Sequence, residues 1–582
     1  MIHDRNYRQI MRHAFDYIKK HPGLLFLIVP AFILYMSVTV PSGSQYCYQG
    51  KCGIYFWGVH GHDAVWHLAL VETAFNRFPF ISPVFSGAAL NGYNYLFDLV
   101  IYLLVRFTHL SALTYFFKII PVVWFILFTA LAIQLSRKLK DRVVFTAFFL
   151  FFLYFSSSFS YIFTLIHDQT VFGSAGLLSQ QIYHIMFNPQ YALSLLGMLY
   201  LLIKFKENRL TKKTVFAIAV VIFLNFGLKF YGGFAALVLG MLYCLLEILP
   251  RNRSRFFILS GLMLAAASGA LMVFYAPFSA GAGGAIFSLA PFALVHPITE
   301  DPGLLYLQNL TNARYFLLTR PVGPKLIVIE AINLVLFLFF YLGVRFFGLL
   351  YFGIRLIKKK LDRFDAIVMG TMVVTTAMTV LFVQKAEWWN TIQFFYYAVF
   401  LSSIYLAELA FSWYKTKTKL ALVGIIILIG LALPATVDIA KSSWSLFPGG
   451  TYIPKEEIEA LAFLKSQPVG VVFSPLFDDG LVNQYAVPRP LFANGDTAYV
   501  SAFSGKPSYF ADLVQIRLTG IDYQARLDKI ERHDCRMLEA IDYVYYNNDH
   551  KIDRRLFDCP SRLVFLWGNR QATIYRVVHP HP

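Results

Sequence analysis

Charge is scarce in this chain. Asp, Glu, Lys and Arg make up 14% of its 582 residues, where an ordinary soluble protein carries about a quarter. Beside 57% hydrophobic residues, that deficit excludes a soluble enzyme with one core under a charged surface. Acidic residues are scarcest, 33 against 51 Lys and Arg, for a net charge of +18. Nucleic acid is not the implied partner, because the basic residues fall in short clusters between apolar runs of about 17–25 residues, each able to cross a bilayer. No G-x-x-x-x-G-K-[ST] loop is present to drive an ATP-fuelled pump, so energy comes from a substrate or a gradient. Fixed-period repeats and low-complexity tracts are missing as well.

What is present reads as topology. Arg5, Arg8, Arg12, Lys19 and Lys20 precede an apolar run at 24–40. No A-x-A-like site follows it promptly, so we read an uncleaved signal anchor with the N-terminus cytoplasmic. Basic clusters recur at 137–142, 204–213, 251–255, 355–363 and 415–419. If all are cytoplasmic, the runs near 113–135, 143–160, 188–203, 214–228, 232–249, 256–276, 326–346, 366–383, 392–412 and 420–436 alternate in direction without contradiction. The expectation is a polytopic α-helical membrane protein of about eleven transmembrane helices. The segment 93–107, with Asp98 and Arg106, is read as a helix lying in or dipping into the outer interface. Long loops then concentrate outside, at 41–112, 161–187 and 277–325. Residues 1–439 form the transmembrane domain, and 440–582 form an extracytoplasmic α/β domain. In that tail a helix is expected at 455–466 and another near 508–532, with strands at VGVVFS, IDYVYY, RLVFLW and ATIYRVV. Of the five cysteines, Cys47, Cys52, Cys535 and Cys559 fall outside, and pairing within each segment is the expectation for an oxidising compartment.

Chemistry is sought in the outer loops. In GVHGHDAVWH, Asp63 and His67 are four apart and share a helix face, with Trp66 beside them as a stacking surface. Asp63 either serves a reaction or caps the helix, and the two roles are compatible. His60, His62, Asp63 and His67 also raise a divalent metal, although the spacing matches no standard zinc motif. The second loop holds Asp168, Gln180, Gln181, His184, Asn188 and Gln190 without Lys or Arg. That set suits a sugar-like ligand or a solvated loop equally. Lys229, in NFGLKFYGG, either snorkels to lipid or binds one phosphate. Arg314, Arg320 and Lys325 are further outer cations. Asn390 and Gln393 open another span beside Trp388 and Trp389, which read as an interfacial belt.

With these residues in view, the chain resembles the GT-C superfamily of integral-membrane glycosyltransferases. The likeness lies in the signal-anchor span, the acidic residue just past the membrane (Asp63) and an F-P-x-x-x-P-x-x-x-G stretch ending in a Gly-Tyr pair (Phe78, Pro79, Pro83, Gly87, Gly92, Tyr93). Many further spans and the outer C-terminal α/β domain extend it. It looks most like bacterial members distantly similar to protein mannosyltransferases and lipid A aminoarabinose transferases. Where many relatives show an adjacent acidic pair, this chain has His62-Asp63.

The resemblance implies transfer of a sugar from a polyprenyl-phosphate donor to a glycan, lipid or protein acceptor on the extracytoplasmic side of the plasma (inner) membrane, with inversion. Asp63 would be the base, Asp168 would position donor or acceptor, and His67 would orient Asp63 or bind acceptor. Lys229, Arg314 and Arg320 would hold the donor phosphate. His62, Trp66, His184, Asn188, Gln190, Asn390 and Gln393 would contact acceptor or sugar. No cofactor beyond an undetermined metal is implied. The alternatives are a flippase of a lipid-linked sugar, which this chain's lack of a repeat and of midplane charges disfavours, and a scaffold whose tail binds a partner. The topology predicts that a single cysteine placed in the tail of intact cells reacts with a membrane-impermeant maleimide. Labelling only after the membrane is breached contradicts it.

Overall fold

The computed structural model describes residues 3–174, 177, 181–208, 211–275, 287–549, 556, 559 and 561–579. Gln180 and residues 277–286 of the fourth outer loop lie outside the described residues. Two compact units emerge. One comprises Met1–Met36, Val123–Ala270 and Ala285–Ser442; the other comprises Ser37–Val122, Leu271–Gly284 and Ser443–Pro582.

Among the described residues, eight helices are long and apolar enough to cross a membrane: Pro22–Thr39, Ala112–Leu139, Phe230–Ile248, Arg253–Tyr275, Pro324–Leu342, Arg363–Leu381, Trp388–Thr416 and Lys419–Ser445. The other three expected runs are helical but fall short of that measure. Val143–Phe155 and Lys212–Leu228 are shorter, with 13 and 17 residues, and Pro189–Glu207 carries Lys204, Lys206 and Glu207 in its last turn. By length and composition, the described residues hold eight candidate spans. The 93–107 segment forms the helix Leu96–Thr108, whose 13 residues are too few to cross a bilayer.

In the first unit the helix Trp388–Thr416 is buried from Ile392 to Phe411, as a helix apolar on every side must be in a stable structure. Several of its polar groups are committed. Tyr397 shares a hydrogen bond with Ser194 Oγ at 2.7 Å, and the Tyr405 hydroxyl donates to the Asp365 carbonyl at 3.1 Å. Glu408 accepts Arg355 and Lys140, and Arg355 also reaches Asp365 at 2.6 Å. Lys206 pairs with Asp362 and Lys138 with Glu207. The basic clusters that read as topology are thus knitted to the chain's few acids, which offsets the cost of holding charge at helix ends beside apolar surface.

The second unit joins the first outer loop to the tail through a shared sheet. Ser44–Tyr48 and Lys51–Phe56 form a hairpin bridged by Cys47–Cys52. Lys51–Phe56 pairs antiparallel with Thr451–Pro454, which pairs parallel with Arg489–Pro490. A second sheet runs in the order Val472–Phe473, Tyr543–Asn547, Ala572–Val578, Arg562–Gly568, and Cys535 is bonded to Cys559. The helix expected near 508–532 is two helices, Leu513–Leu518 and Gln524–Glu531. Gly520, at φ +70°, adopts the left-handed conformation that ends a helix at little cost only in glycine. The first sheet depends on Gly53, where a β-carbon would stand 1.9 Å from the Ile453 carbonyl oxygen. Gly53→Ala is therefore expected to destabilise the second unit by about 1–3 kcal/mol through overpacking. A thermal unfolding midpoint equal to wild type in detergent would contradict this.

Candidate active site

The hairpin delivers the chain into a short turn, Gly58–Gly61, at which two glycines are required. Gly58 sits at φ +44°, and a β-carbon on Gly61 would meet Thr451 Oγ1 at 2.4 Å. The helix Asp63–Thr73 follows, with His62 at its N-cap and Asp63 as its first residue. The Asp63 carboxylate therefore lies at the positive end of the helix dipole.

His62 organises what surrounds Asp63. Its Nδ1–H donates to Asp63 Oδ1 at 3.0 Å, and its Nε2 lies 3.6 Å from Asp512 Oδ1. Asp63 is half exposed, His62 is 29% exposed, and Asp512 is fully buried. Asp512 in turn caps the helix Leu513–Leu518 by accepting the Gln515 N–H, and it does so in the left-handed region at φ +52°, a conformation a non-glycine residue holds only when its surroundings enforce it. The enforcement comes from Asp496, which accepts the backbone N–H groups of Asp512 at 2.9 Å and Leu513 at 2.8 Å. Burial opposes a charge on His62, but the hydrogen bond to Asp63 and the charges of Asp512, Asp63 and Asp496 prevail and raise its pKa to about 9. Asp512 is pushed up to about 7, chiefly because burial disfavours its carboxylate, while the charge of His62 pulls it back.

The other residues of this loop diverge. His67, expected beside Asp63, instead pairs its Nδ1 with Asp98 Oδ1 at 3.0 Å in a buried contact. The imidazole bonded to Asp63 is thus the one that precedes it. Trp66 is 1% exposed with its ring edge-to-face against Tyr93, so its face is closed to an incoming sugar. His60 bonds Ser42 Oγ at 2.8 Å. With the three imidazoles committed in three directions, the cluster does not fit a shared metal. Among the described residues no group of three or more His, Cys, Asp or Glu could hold one.

The first unit gathers a second set. Gln384 Oε1 accepts both the Tyr231 hydroxyl at 3.0 Å and Asn390 Nδ2 at 2.8 Å. Gln393 Nε2 donates to Asn390 Oδ1, leaving Gln393 Oε1 buried without a partner. Lys229 Nζ lies 6.0 Å from the Tyr231 ring centre, within cation–π range. One turn beyond Gln393, Tyr396 stacks on His184 at 3.9 Å. Asn188 caps Pro189–Glu207, and Gln190 is buried. Asp168 ends the helix Tyr161–Asp168, exposed. Arg314 is held by Glu300 at 2.7 Å and Glu330 at 2.9 Å, whereas Arg320 is exposed over the Phe316 ring.

Sequence reasoning missed Asp512, Asp496 and Gln384. The segment around Asp512, FADLVQIRL, carries only the signal of an aspartate before an apolar helix, which any capped helix shares.

No protein-family model and no curated protein matches the sequence. Solved structures do match. The oligosaccharyltransferase of Archaeoglobus fulgidus in complex with Zn and sulfate aligns with a TM-score of 0.50 at 14% identity, over 90% of this chain and 68% of that one. Arabinofuranosyltransferase AftD from Mycobacteria gives 0.47 at 11%, over 96% and 40%. ArnT from Cupriavidus metallidurans bound to undecaprenyl phosphate gives 0.44 at 8%, over 96% and 99%. The likeness is one of fold.

The site's electrostatics carry a prediction. His62 holds its proton more tightly folded than unfolded. Its contribution to stability is therefore complete below about pH 6.5 and is lost as pH rises through about 9. In His62→Gln the fall in thermal stability across that interval should be shallower than in wild type. Parallel curves would contradict the assignment.

Proposed function

We propose that this chain transfers a sugar from a polyprenyl-phosphate donor to an acceptor hydroxyl on the extracytoplasmic face, with inversion at the anomeric carbon. The observation that carries the proposal is the half-exposed Asp63 carboxylate at a helix N-terminus, hydrogen-bonded to His62 over the buried Asp512. A GT-C fold around such a carboxylate is suited to one demanding step, removal of the acceptor proton as the new bond forms.

In this reading Asp63 takes the proton of the acceptor hydroxyl. The acceptor oxygen bonds to the anomeric carbon, and the bond from that carbon to the phosphate oxygen breaks. The lipid phosphate departs with the electron pair, and Asp63 later passes its proton to water. His62 orients the carboxylate through its Nδ1–H. The hydrogen bond to Asp63 and the charge of Asp512 keep His62 protonated, so it does not compete with Asp63 for the acceptor proton. We assign the leaving phosphate to Lys229, with Arg320 as a second cation. Arg314, already balanced by Glu300 and Glu330, is left as a structural cation. Asn390, Gln393, His184 and Asp168 are the first unit's candidates for sugar contact. The residues around Asp63 give a metal no fitted site, so we derive no step through one.

Wild-type protein reconstituted in liposomes with a panel of polyprenyl-phosphate sugars should release lipid phosphate in step with glycosylated acceptor. Movement of intact donor across the bilayer, with no bond cleaved for any donor, would contradict the proposal and favour a carrier. A charge-assisted contact to phosphate is worth roughly 1.5–3 kcal/mol, so Lys229→Ala should weaken donor binding by roughly 10–100-fold while the protein stays folded. Unchanged donor affinity would return Lys229 to general lipid contact.

A further inference from the structure

Within the second unit lies a cleft lined by residues between Ser474 and Asn547. Aromatic rings form much of its wall, among them Phe477, Phe492 and Phe510, and none of its lining residues is Lys, Arg or His. Its polar groups are acceptors and neutral donors. Asp496 contributes a carboxylate, Asn547 an amide and Thr497 a hydroxyl. The Thr497 hydroxyl is buried and has no hydrogen-bond partner, a cost that a native structure usually carries for a reason. The back of the wall is rigid. Glu457, wholly buried, accepts the Tyr545 hydroxyl at 2.7 Å and Asn547 Nδ2 at 3.2 Å, which fixes both side chains from behind.

This lining selects its occupant. The cleft wall offers a carboxylate and no cationic side chain, which disfavours an anion there, so the cleft is not the place of the donor's lipid phosphate. Aromatic faces take the apolar C–H face of a sugar ring, and carboxylate, amide and hydroxyl groups take its hydroxyls. Asp496 also ties the cleft to Asp63, because the carboxylate on the cleft wall is the one that accepts the Asp512 and Leu513 N–H groups, and Asp512 stands beside His62. We infer that the cleft binds a neutral pyranose, and that the acceptor is accordingly a glycan rather than a peptide. The acceptor role rests on the transferase reading above, whereas the sugar binding does not.

The test uses the full chain in nanodiscs without donor and reads saturation-transfer NMR with the methyl glycosides of glucose, galactose, mannose and N-acetylglucosamine. Glucose 6-phosphate and a hydroxyl-rich peptide serve as comparison probes. At least one neutral glycoside should bind, and glucose 6-phosphate should bind at least about 10-fold more weakly than glucoside, the scale of an uncompensated charge contact. Thr497→Val keeps the shape of the side chain and breaks no bond within the protein, so it should fold normally and weaken glycoside binding about 3–10-fold. Phe477→Ala, on the half-exposed rim, should weaken it similarly. Absence of glycoside binding overturns the inference, as does binding that neither variant changes or a preference for the peptide or the phosphate. If glycosides bind as described but the wild type transfers no sugar, the cleft stands and the acceptor role fails.

Discussion

The carboxylate of Asp512 is the charge that the site is built around. It is buried beyond the reach of water, and an ionised carboxylate in that position is tolerable only with a cation against it. His62 supplies the cation, and the same imidazole that answers Asp512 through Nε2 is turned by it to donate through Nδ1 to Asp63. The orientation of the half-exposed carboxylate is thus set by a residue in the tail. That arrangement requires Lys51–Phe56 and Thr451–Pro454 to pair as neighbouring strands, and the pairing requires Gly53 at the point of closest approach. The tail is therefore part of the site's electrostatics, beyond any part it has in admitting an acceptor.

Where this chain places charge beside its apolar helices, it pairs it. Arg355 is shared by Asp365 and Glu408, and Glu408 also takes Lys140. Arg314 is shared by Glu300 and Glu330, and Glu330 also takes His296. In each case the ionic groups satisfy one another, so holding them costs little beside apolar surface. Asp63, with half its side chain in solvent and an imidazole behind it, departs from that pattern. In the proposed reaction it is where a proton is exchanged with a bound molecule.

The membrane character, the helical runs and the α/β composition of the tail were legible because each follows from local periodicity. The signal-anchor and Asp63 pattern carried a resemblance to membrane glycosyltransferases, and a solved oligosaccharyltransferase aligns with this chain in fold. Span number was less legible. Val143–Phe155 and Lys212–Leu228 are apolar enough, but their ends are set by caps rather than by bilayer thickness. Of the site, Asp63 and His62 could be found from one loop, since a charge at a membrane boundary is conspicuous. His67 misled because a spacing of four guarantees only a shared face, and Asp98 on another helix claimed it. Asp512 and Asp496 were invisible because their role depends on strand pairing between distant segments, which no local pattern encodes.

The account stands most directly on the chemical step at Asp63. Its measurement is a single-turnover assay in liposomes with saturating polyprenyl-phosphate sugar, comparing wild type with Asp63→Asn and following donor binding separately by equilibrium titration. Asn retains the shape and the hydrogen bonding at the helix start but cannot accept the proton. The account predicts that donor affinity stays within a few-fold while the transfer rate falls by about 10²–10⁴. A transfer rate within a few-fold of wild type would remove Asp63 from the reaction and contradict the account.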